Sequence, residues 1–177
     1  MVQEAPLEQT DSGLVPKGEG WFVVNAKEAR WLEHKAFGSG TTFEGEPEFK
    51  QLGINIGVLE PGQPACLYHR ENAQEDFLVL FGECVLLIEG EERRLKAWDL
   101  VHCPPWTEHV LVGAGDGPCA ILAVGARGQE EIVYPVSELA RRHGASAEQE
   151  TPDPKEAYAP FGRSSEAPYR GQLDRPS

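Results

Sequence analysis

Residues 61–83 read PGQPACLYHRENAQEDFLVLFGE, and this stretch decides the fold. It places His69, Glu71 and Glu75 around a sharp turn that begins with a Pro-Gly pair and leads into an apolar run. Apolar runs of this length that are bounded by turn residues are typical of β-strands. The segment therefore predicts a turn carrying three polar side chains at the entrance to a buried strand.

A second segment supplies a further histidine. Residues 98–110 read WDLVHCPPWTEHV, in which His109 follows a Pro-Pro turn and begins another apolar run. Residues of like parity on antiparallel strands point to the same face, so side chains distant in sequence can converge inside a closed barrel. Imidazole and carboxylate groups together suit Zn²⁺, Fe²⁺, Mn²⁺, Co²⁺ or Ni²⁺, and leave positions open for water or substrate.

The strand signal extends over the whole middle of the chain. Apolar and other residues alternate with a period of two from Gln51 to Leu59, ahead of Pro61-Gly62. The apolar runs that follow are DFLVLF, ECVLLIEG, RRLKAW, LVHC, HVLV and CAILAV. Turn-forming stretches separate them, and no helical period intervenes. This pattern predicts an all-β barrel or sandwich.

The flanking regions give weaker signals. The composition divides the chain into an N-terminal arm over residues 1–20, a barrel over 21–134, and a short helix with a proline-rich tail over 135–177. Smaller features are a first strand at 21–25, a short helix or bent strand at 27–35, a loop at 37–49, and a helix within 135–144 that ends at Gly144.

Composition excludes several classes of function. The 177 residues carry a net charge of -13, which disfavours nucleic acid and anionic membranes as partners. No run is apolar enough to span a bilayer, and the N-terminus has no secretory pattern, so we expect a cytoplasmic protein. The cysteines lie too far apart for a redox or zinc-knuckle motif and are expected to be buried apolar residues, although Cys66 and Cys103 flank the predicted site.

The two segments together resemble the motifs of the cupin superfamily across residues 50–125. In the first motif, Gly62, Glu75 and Gly82 match, with the six residues between Glu75 and Gly82 intact. In the second motif, Pro104 and His109 match. The resemblance implies a double-stranded β-helix, or jelly-roll barrel, that binds one divalent metal ion.

Three positions depart from the second motif. Trp98 and Trp106 stand where the family has glycines, and Gly113 replaces its asparagine. Trp106 is expected to exclude a turn that needs glycine at that position. His102 is expected to be a core residue or to lie just outside the ligands of the metal, rather than to be a ligand itself.

The His-x-His of the first motif can be aligned in two registers. Without a gap, its positions fall on Tyr68 and Arg70, and arginine cannot ligate a metal because it stays protonated. With one extra residue after Gly62, they fall on His69 and Glu71. A one-residue slip turns every side chain to the other face, and a β-bulge near Pro64 would produce the shifted register.

The shifted register implies a metal site formed by His69, Glu71, Glu75 and His109. Glu71 would be either the fourth ligand or a catalytic general base. The resemblance implies metal-dependent chemistry on a small organic molecule, as in dioxygenases, decarboxylases and isomerases. The alternatives are a barrel that binds or senses a small ligand without turnover, and a barrel whose metal site has decayed.

A homodimer is also expected. Barrel edges and a proline-rich tail that carries Tyr158, Phe161 and Tyr169 look incomplete without a partner surface, although the tail could equally pin itself to its own barrel.

Overall fold

The computed structural model describes residues 1–46, 48–128 and 131–174. Its strands are all antiparallel within their sheets, as the period-two pattern predicted. They are β1 Leu7–Thr10, β2 Gly13–Pro16, β3 Trp31–His34, β4 Gly38–Thr41, β5 Leu52–Leu59, β6 Arg70–Glu71, β7 Glu75–Phe81, β8 Glu83–Ile88, β9 Glu91–Lys96, β10 Leu100–Cys103, β11 His109–Ala114, β12 Cys119–Ala126, β13 Ile132–Val133 and β14 Ser165–Ala167.

Two sheets enclose the core and form the expected double-stranded β-helix. The larger has the strand order β10-β7-β12-β5-β4-β3-β14, and the smaller has the order β11-β8-β9. Alternate residues of each strand face inward, and they build one apolar cluster: Leu59, Phe77, Val79, Cys84, Leu86, Val101, Cys103, Leu111, Cys119 and Ile121. Burying one such side chain contributes about 1.5–3 kcal/mol, so this cluster is the main source of stability.

The N-terminal region differs from the sequence expectation. Residues 1–20, predicted as an arm, contain the β1–β2 hairpin. The strand predicted at 21–25 is wrong, since that segment forms only an isolated bridge between Trp21 and Glu4. Of the two alternatives for residues 27–35, the structure has the strand β3.

A glycine-rich stretch that reads as a loop is partly a strand. Residues 38–41 within the predicted loop form β4, which pairs with β5. A Cβ atom on Gly40 would lie 2.7 Å from the carbonyl oxygen of Ile56, so the glycine permits a close approach of the two strands. The glycines that suggested a turn are therefore packing residues.

The C-terminal region holds three short helical segments or turns: α1 Glu138–Arg142, α2 Pro154–Ala157 and a 3₁₀ turn Ala159–Phe161. The first lies inside the predicted helix. The side chain of its N-cap Ser137 accepts a hydrogen bond from the Ala140 amide, and Gly144 follows its end with a φ of 68°. No helix among the described residues is long and apolar enough to cross a membrane.

The tail packs on its own barrel. Tyr158 and Phe161 contact the ring of Phe37, and Tyr169 contacts Trp31. The strand β14 then pairs with β3 and extends the larger sheet. The tail aromatics were expected to contact either a partner subunit or their own barrel, and in the structure they contact their own barrel.

Candidate metal centre

Three of the four predicted ligands converge at one end of the barrel interior. One ligand atom each of His69, Glu75 and His109 lies within 4.8 Å of the others. Oε2 of Glu75 is 3.4 Å from Nε2 of His69 and 3.0 Å from Nε2 of His109. Both histidines are buried, and Glu75 is half-buried with its Oε2 atom buried, so the group lies inside the barrel.

Each of these residues stands at a strand end that fixes its direction. Glu75 begins β7, where its register partners are Cys103 on one side and Gly125 on the other. His109 begins β11, and it forms an antiparallel bridge with His69. The site is therefore formed where the two sheets meet.

The backbone around His69 corresponds to the shifted register. Pro64 and His69 are five positions apart, and their bridge partners Val112 and His109 only three, so the segment before His69 holds two residues more than its partner and bulges out. Within the bulge, the amide of Tyr68 donates to the carbonyl of Ala145 at 2.6 Å rather than to the barrel.

The alternative pair of residues points away from the site. Tyr68 is buried in a separate apolar cluster with Leu87 and Val110. Arg70 forms an ion pair with Glu108. Neither side chain faces the histidines.

Each imidazole uses its Nδ1 atom in a hydrogen bond to the backbone. Three acceptor atoms then face one another, which are Nε2 of His69, Nε2 of His109 and Oε2 of Glu75. Nδ1 of His69 lies 2.8 Å from the carbonyl of Leu67, and Nδ1 of His109 lies 2.9 Å from that of Thr107. Since a carbonyl only accepts, Nδ1 carries the proton in each neutral ring, and each Nε2 directs a lone pair toward Glu75. Nε2 of His109 and Oε2 of Glu75 are buried and have no hydrogen-bond partner among the described residues.

This arrangement fits a divalent cation. Buried acceptors without a donor are costly, and a metal ion bound by both Nε2 atoms and the carboxylate would satisfy them. Imidazoles whose second nitrogen donates to a carbonyl are typical of metal-binding histidines.

Electrostatics favours an ionised carboxylate. Burial opposes the charge on Glu75, but the rings of His109 and His69, whose Nε2 atoms lie 3.0 and 3.4 Å from its Oε2, outweigh burial and lower the pKa of Glu75 to about 2. Burial also opposes a charge on His69, yet the nearby Cys66 and Glu75 raise its pKa well above the usual value. Without a metal, a proton on His69 is thus the alternative way to balance the carboxylate.

Glu71 is not brought into the ligand group. It lies in β6, half-buried, and its backbone carbonyl accepts from the amide of Trp106 at 2.6 Å. Burial and, after it, nearby charges that include Glu71 raise the pKa of Tyr134 to about 12, and the ring of Tyr134 lies 6.0 Å from that of His69. Glu71 therefore lies near the site but outside the set of converging atoms.

The remaining polar residues take other positions. His102 is exposed rather than in the core, and its Nδ1 lies 2.7 Å from Oδ1 of Asp76 on the outer face. Cys66 is half-buried with its Sγ 3.7 Å from Nδ1 of His69, and Cys103 is buried in the core.

The two tryptophans keep the backbone that glycine would have. Trp98 has a φ of 76° and Trp106 a φ of 71°, so the expectation that Trp106 excludes such a turn is wrong. Both side chains are largely exposed, which lets the left-handed backbone form without an inward clash. Gly113 is required by packing, because its Cβ would lie 2.2 Å from the carbonyl oxygen of Glu60.

Sequence reasoning missed the groups that orient the histidines. They are the backbone carbonyls of Leu67 and Thr107, each two positions before its histidine, and the Phe77 ring 5.3 Å from that of His109. The shared spacing of two residues is visible in the sequence only once both histidines are known to be ligands.

Comparison with known proteins supports the fold. A family model described as the cupin domain matches residues 55–125. A 5-nitrosalicylic acid 1,2-dioxygenase from a Bradyrhizobium species is 31% identical over 75 residues, which cover 39% of this chain and 36% of that protein. The match thus spans about a third of the curated relative's length.

Solved structures share the fold. A sugar phosphate isomerase of the cupin superfamily from Silicibacter pomeroyi has a TM-score of 0.51 and 26% identity, covering 64% of this chain and 68% of that one. A polyketide cyclase from Streptomyces resistomycificus has a TM-score of 0.51 at 14% identity, and the match covers 59% of this chain and 78% of that one. The latter likeness concerns the fold alone.

Proposed function

Because the chain belongs to the cupin superfamily, we propose that it is a metal-dependent enzyme that acts on a small organic molecule. His69, Glu75 and His109 hold one divalent ion in this proposal. The observation that carries it is the convergence of two Nε2 lone pairs and a carboxylate, in which two buried acceptors have no hydrogen-bond partner in the described part of the chain.

The donor set favours one reaction class among the three considered. Two imidazoles and one carboxylate leave several coordination positions open, and this combination is typical of non-haem Fe²⁺ oxygenases. The 31% identity to a 5-nitrosalicylic acid 1,2-dioxygenase supports the same class. We therefore propose a dioxygenase that uses Fe²⁺, which when bound would act as a Lewis acid and activate oxygen.

Glu71 is proposed as a general base rather than a fourth ligand. Its carboxylate is outside the group of converging atoms but close enough for its charge to affect Tyr134. A carboxylate in this position can accept a proton from a hydroxyl group of the bound molecule.

Oxygen uptake tests the function. Protein reconstituted with Fe²⁺ is expected to consume oxygen with a hydroxylated aromatic acid such as salicylate or a nitrosalicylate, and the His109→Ala variant is not. Tight binding of these acids without turnover would indicate a binding barrel instead. Failure to retain any divalent metal would indicate a decayed site.

The assembly stays a prediction. The tail aromatics that suggested a homodimer are occupied by contacts with Phe37 and Trp31 of the same chain. The proposal of a dimer now depends on the barrel surface alone, where Trp98 and Leu100 are each 68% exposed.

A further inference from the structure

Two glycines inside the barrel have no structural reason to be glycine. Gly57 and Gly125 are strand residues, and neither has a positive φ. Within the parts of the chain that the structure describes, a Cβ on Gly57 would meet nothing within 4 Å. A Cβ on Gly125 would meet only Glu75 there, at the ordinary contact distances of 3.7 and 3.8 Å.

Other strand glycines are different. A Cβ on Gly40 or Gly113 would collide with a backbone oxygen at 2.7 or 2.2 Å. Glycine weakens a strand interior, and where packing does not require it, it often marks a place where a ligand comes close to the backbone. The backbone and packing therefore explain Gly40 and Gly113 but not Gly57 and Gly125.

Both unexplained glycines face the interior. Gly57 pairs with Ile121 of the core cluster, and Gly125 pairs with Glu75. Directly paired residues of antiparallel strands share a face. Both glycines therefore lie on the inner wall of the larger sheet. Gly125 is beside Glu75 of the candidate metal centre, and Gly57 lies four strand positions farther along the same wall.

A polar side chain lies between them on the same face. Asn55 is two positions from Gly57 and pairs with Ala123, which pairs in turn with Phe77 of the core. Asn55 is exposed although it belongs to the inward-facing row of β5, so this part of the interior is open to solvent. Its amide can both donate and accept hydrogen bonds.

We infer that Gly57, Ala123 and Gly125 keep open the space in which the substrate lies beside Glu75, and that the amide of Asn55 binds a polar substituent of that substrate. This inference rests on the proposed function. It assigns the substrate to small molecules with oxygen groups at one end, an apolar body, and a hydrogen-bonding substituent at the other end. The apolar body would lie against Phe77 and Ile121.

Two probes of different size test the inference on protein loaded with one equivalent of Co²⁺. Azide is a small metal ligand, and 4-nitrocatechol is a large one with an aromatic body and a polar substituent. Binding of each is measured by titration of the visible absorption spectrum. Gly57→Val is expected to weaken the binding of 4-nitrocatechol at least ten-fold and the binding of azide less than two-fold.

Two further variants and a control complete the design. Gly125→Ala places one methyl group beside Glu75 and is expected to weaken the binding of 4-nitrocatechol at least three-fold. Asn55→Ala is expected to weaken it roughly five-fold, the effect of one lost hydrogen bond. Gly117→Val is the control, because Gly117 also has open space around its Cβ but lies in the turn at the far end of β11 and β12.

The outcomes separate the inference from the proposed function. If the wild type binds Co²⁺ and azide but not 4-nitrocatechol, or if all variants bind 4-nitrocatechol like the wild type, the inference is wrong and the metal site stands. If the wild type takes up no Co²⁺, the proposed function fails and the inference fails with it. Circular dichroism and Co²⁺ stoichiometry establish that each variant is folded and loaded.

Discussion

His69 and His109 donate hydrogen bonds to each other's backbone carbonyls. The amide of His69 lies 3.2 Å from the His109 oxygen, and the reverse pair is 2.9 Å apart. Antiparallel residues paired in this way carry their side chains on one face, and the ring centroids are 4.9 Å apart. Backbone pairing therefore positions both imidazoles independently of any bound ion, which preorganises the candidate metal centre.

The first prediction concerns metal content. Wild-type protein purified without a histidine tag is expected to carry about one divalent metal per chain by elemental analysis. His109→Ala should lose it, because three protein ligands is close to the minimum for tight retention. His102→Ala is the matched control, since His102 is exposed and contacts Asp76 instead. Full occupancy in His109→Ala would contradict the assignment.

The second prediction tests the register. His69→Ala should lower metal affinity by at least 100-fold, since about 3 kcal/mol or more accompanies loss of a directly bound ligand. Arg70→Ala should change it by less than three-fold, because Arg70 pairs with Glu108 away from the site. Competition with a chelator of known strength measures both. Equal affinities for the wild type and His69→Ala would leave only Glu75 and His109 as ligands.

The third prediction concerns the stability of metal-free protein against pH. The pKa of Glu75 is lowered from 4.5 to about 2, so its contribution is present above pH 4.5 and is lost as the pH falls toward 2. The pKa of His69 is raised above 6.5, so its contribution is present below pH 6.5 and is lost as the pH rises through the raised value. Melting temperatures in EDTA should fall on both sides of this window.

Bound metal should change the melting temperature only on the alkaline side of this pH window. Divalent ions bind the deprotonated imidazoles, so their stabilising effect grows with pH. Glu75→Gln is the control for the acid side, because it removes the titrating carboxylate while keeping a side chain of similar shape. An unchanged pH profile in Glu75→Gln would show that other groups cause the acid loss.

The strands that build the site were predictable because they have a clear period and distinct turns. The alternation from Leu52 to Val58 and the apolar runs after it indicated β5 and β7–β12. Glu75 and His109 could be singled out because they match the cupin motifs, and His69 because the shifted register places it on the first histidine position. Local sequence and the resemblance together were enough for these features.

The features that were missed depend on distant contacts. The inward direction of His69 depends on Tyr68 bonding to Ala145, which is 77 positions away. The strand β4 exists because Gly40 fits against Ile56 of β5. Neither partner can be identified from the residues around Tyr68 or Gly40, so sequence left the register open and assigned β4 to a loop.

The fourth prediction concerns assembly. A homodimer would give a light-scattering mass of twice 19.5 kDa at micromolar concentrations. If the exposed outer face of β10 contributes to the interface, Leu100→Glu should shift the mass to that of the monomer, because a buried unpaired charge is strongly unfavourable. Val23→Glu, at an exposed position outside the barrel strands, serves as the control. A monomer mass for the wild type would rule out the dimer.

The last prediction concerns the left-handed backbone at Trp98. An L-residue in this conformation costs about 1–2 kcal/mol relative to the right-handed region, and glycine avoids the cost. Trp98→Gly should therefore be more stable than Trp98→Ala by about 1 kcal/mol, even though glycine gives the unfolded chain more freedom. Urea unfolding of the two variants measures the difference, and both lose the same indole contacts, so those contacts cancel. Leu100 is the control position, because it is equally exposed but lies in the strand β10, where the alanine variant should be more stable than the glycine variant. Equal stabilities at position 98, or a more stable alanine variant there, would contradict the positive φ of 76°.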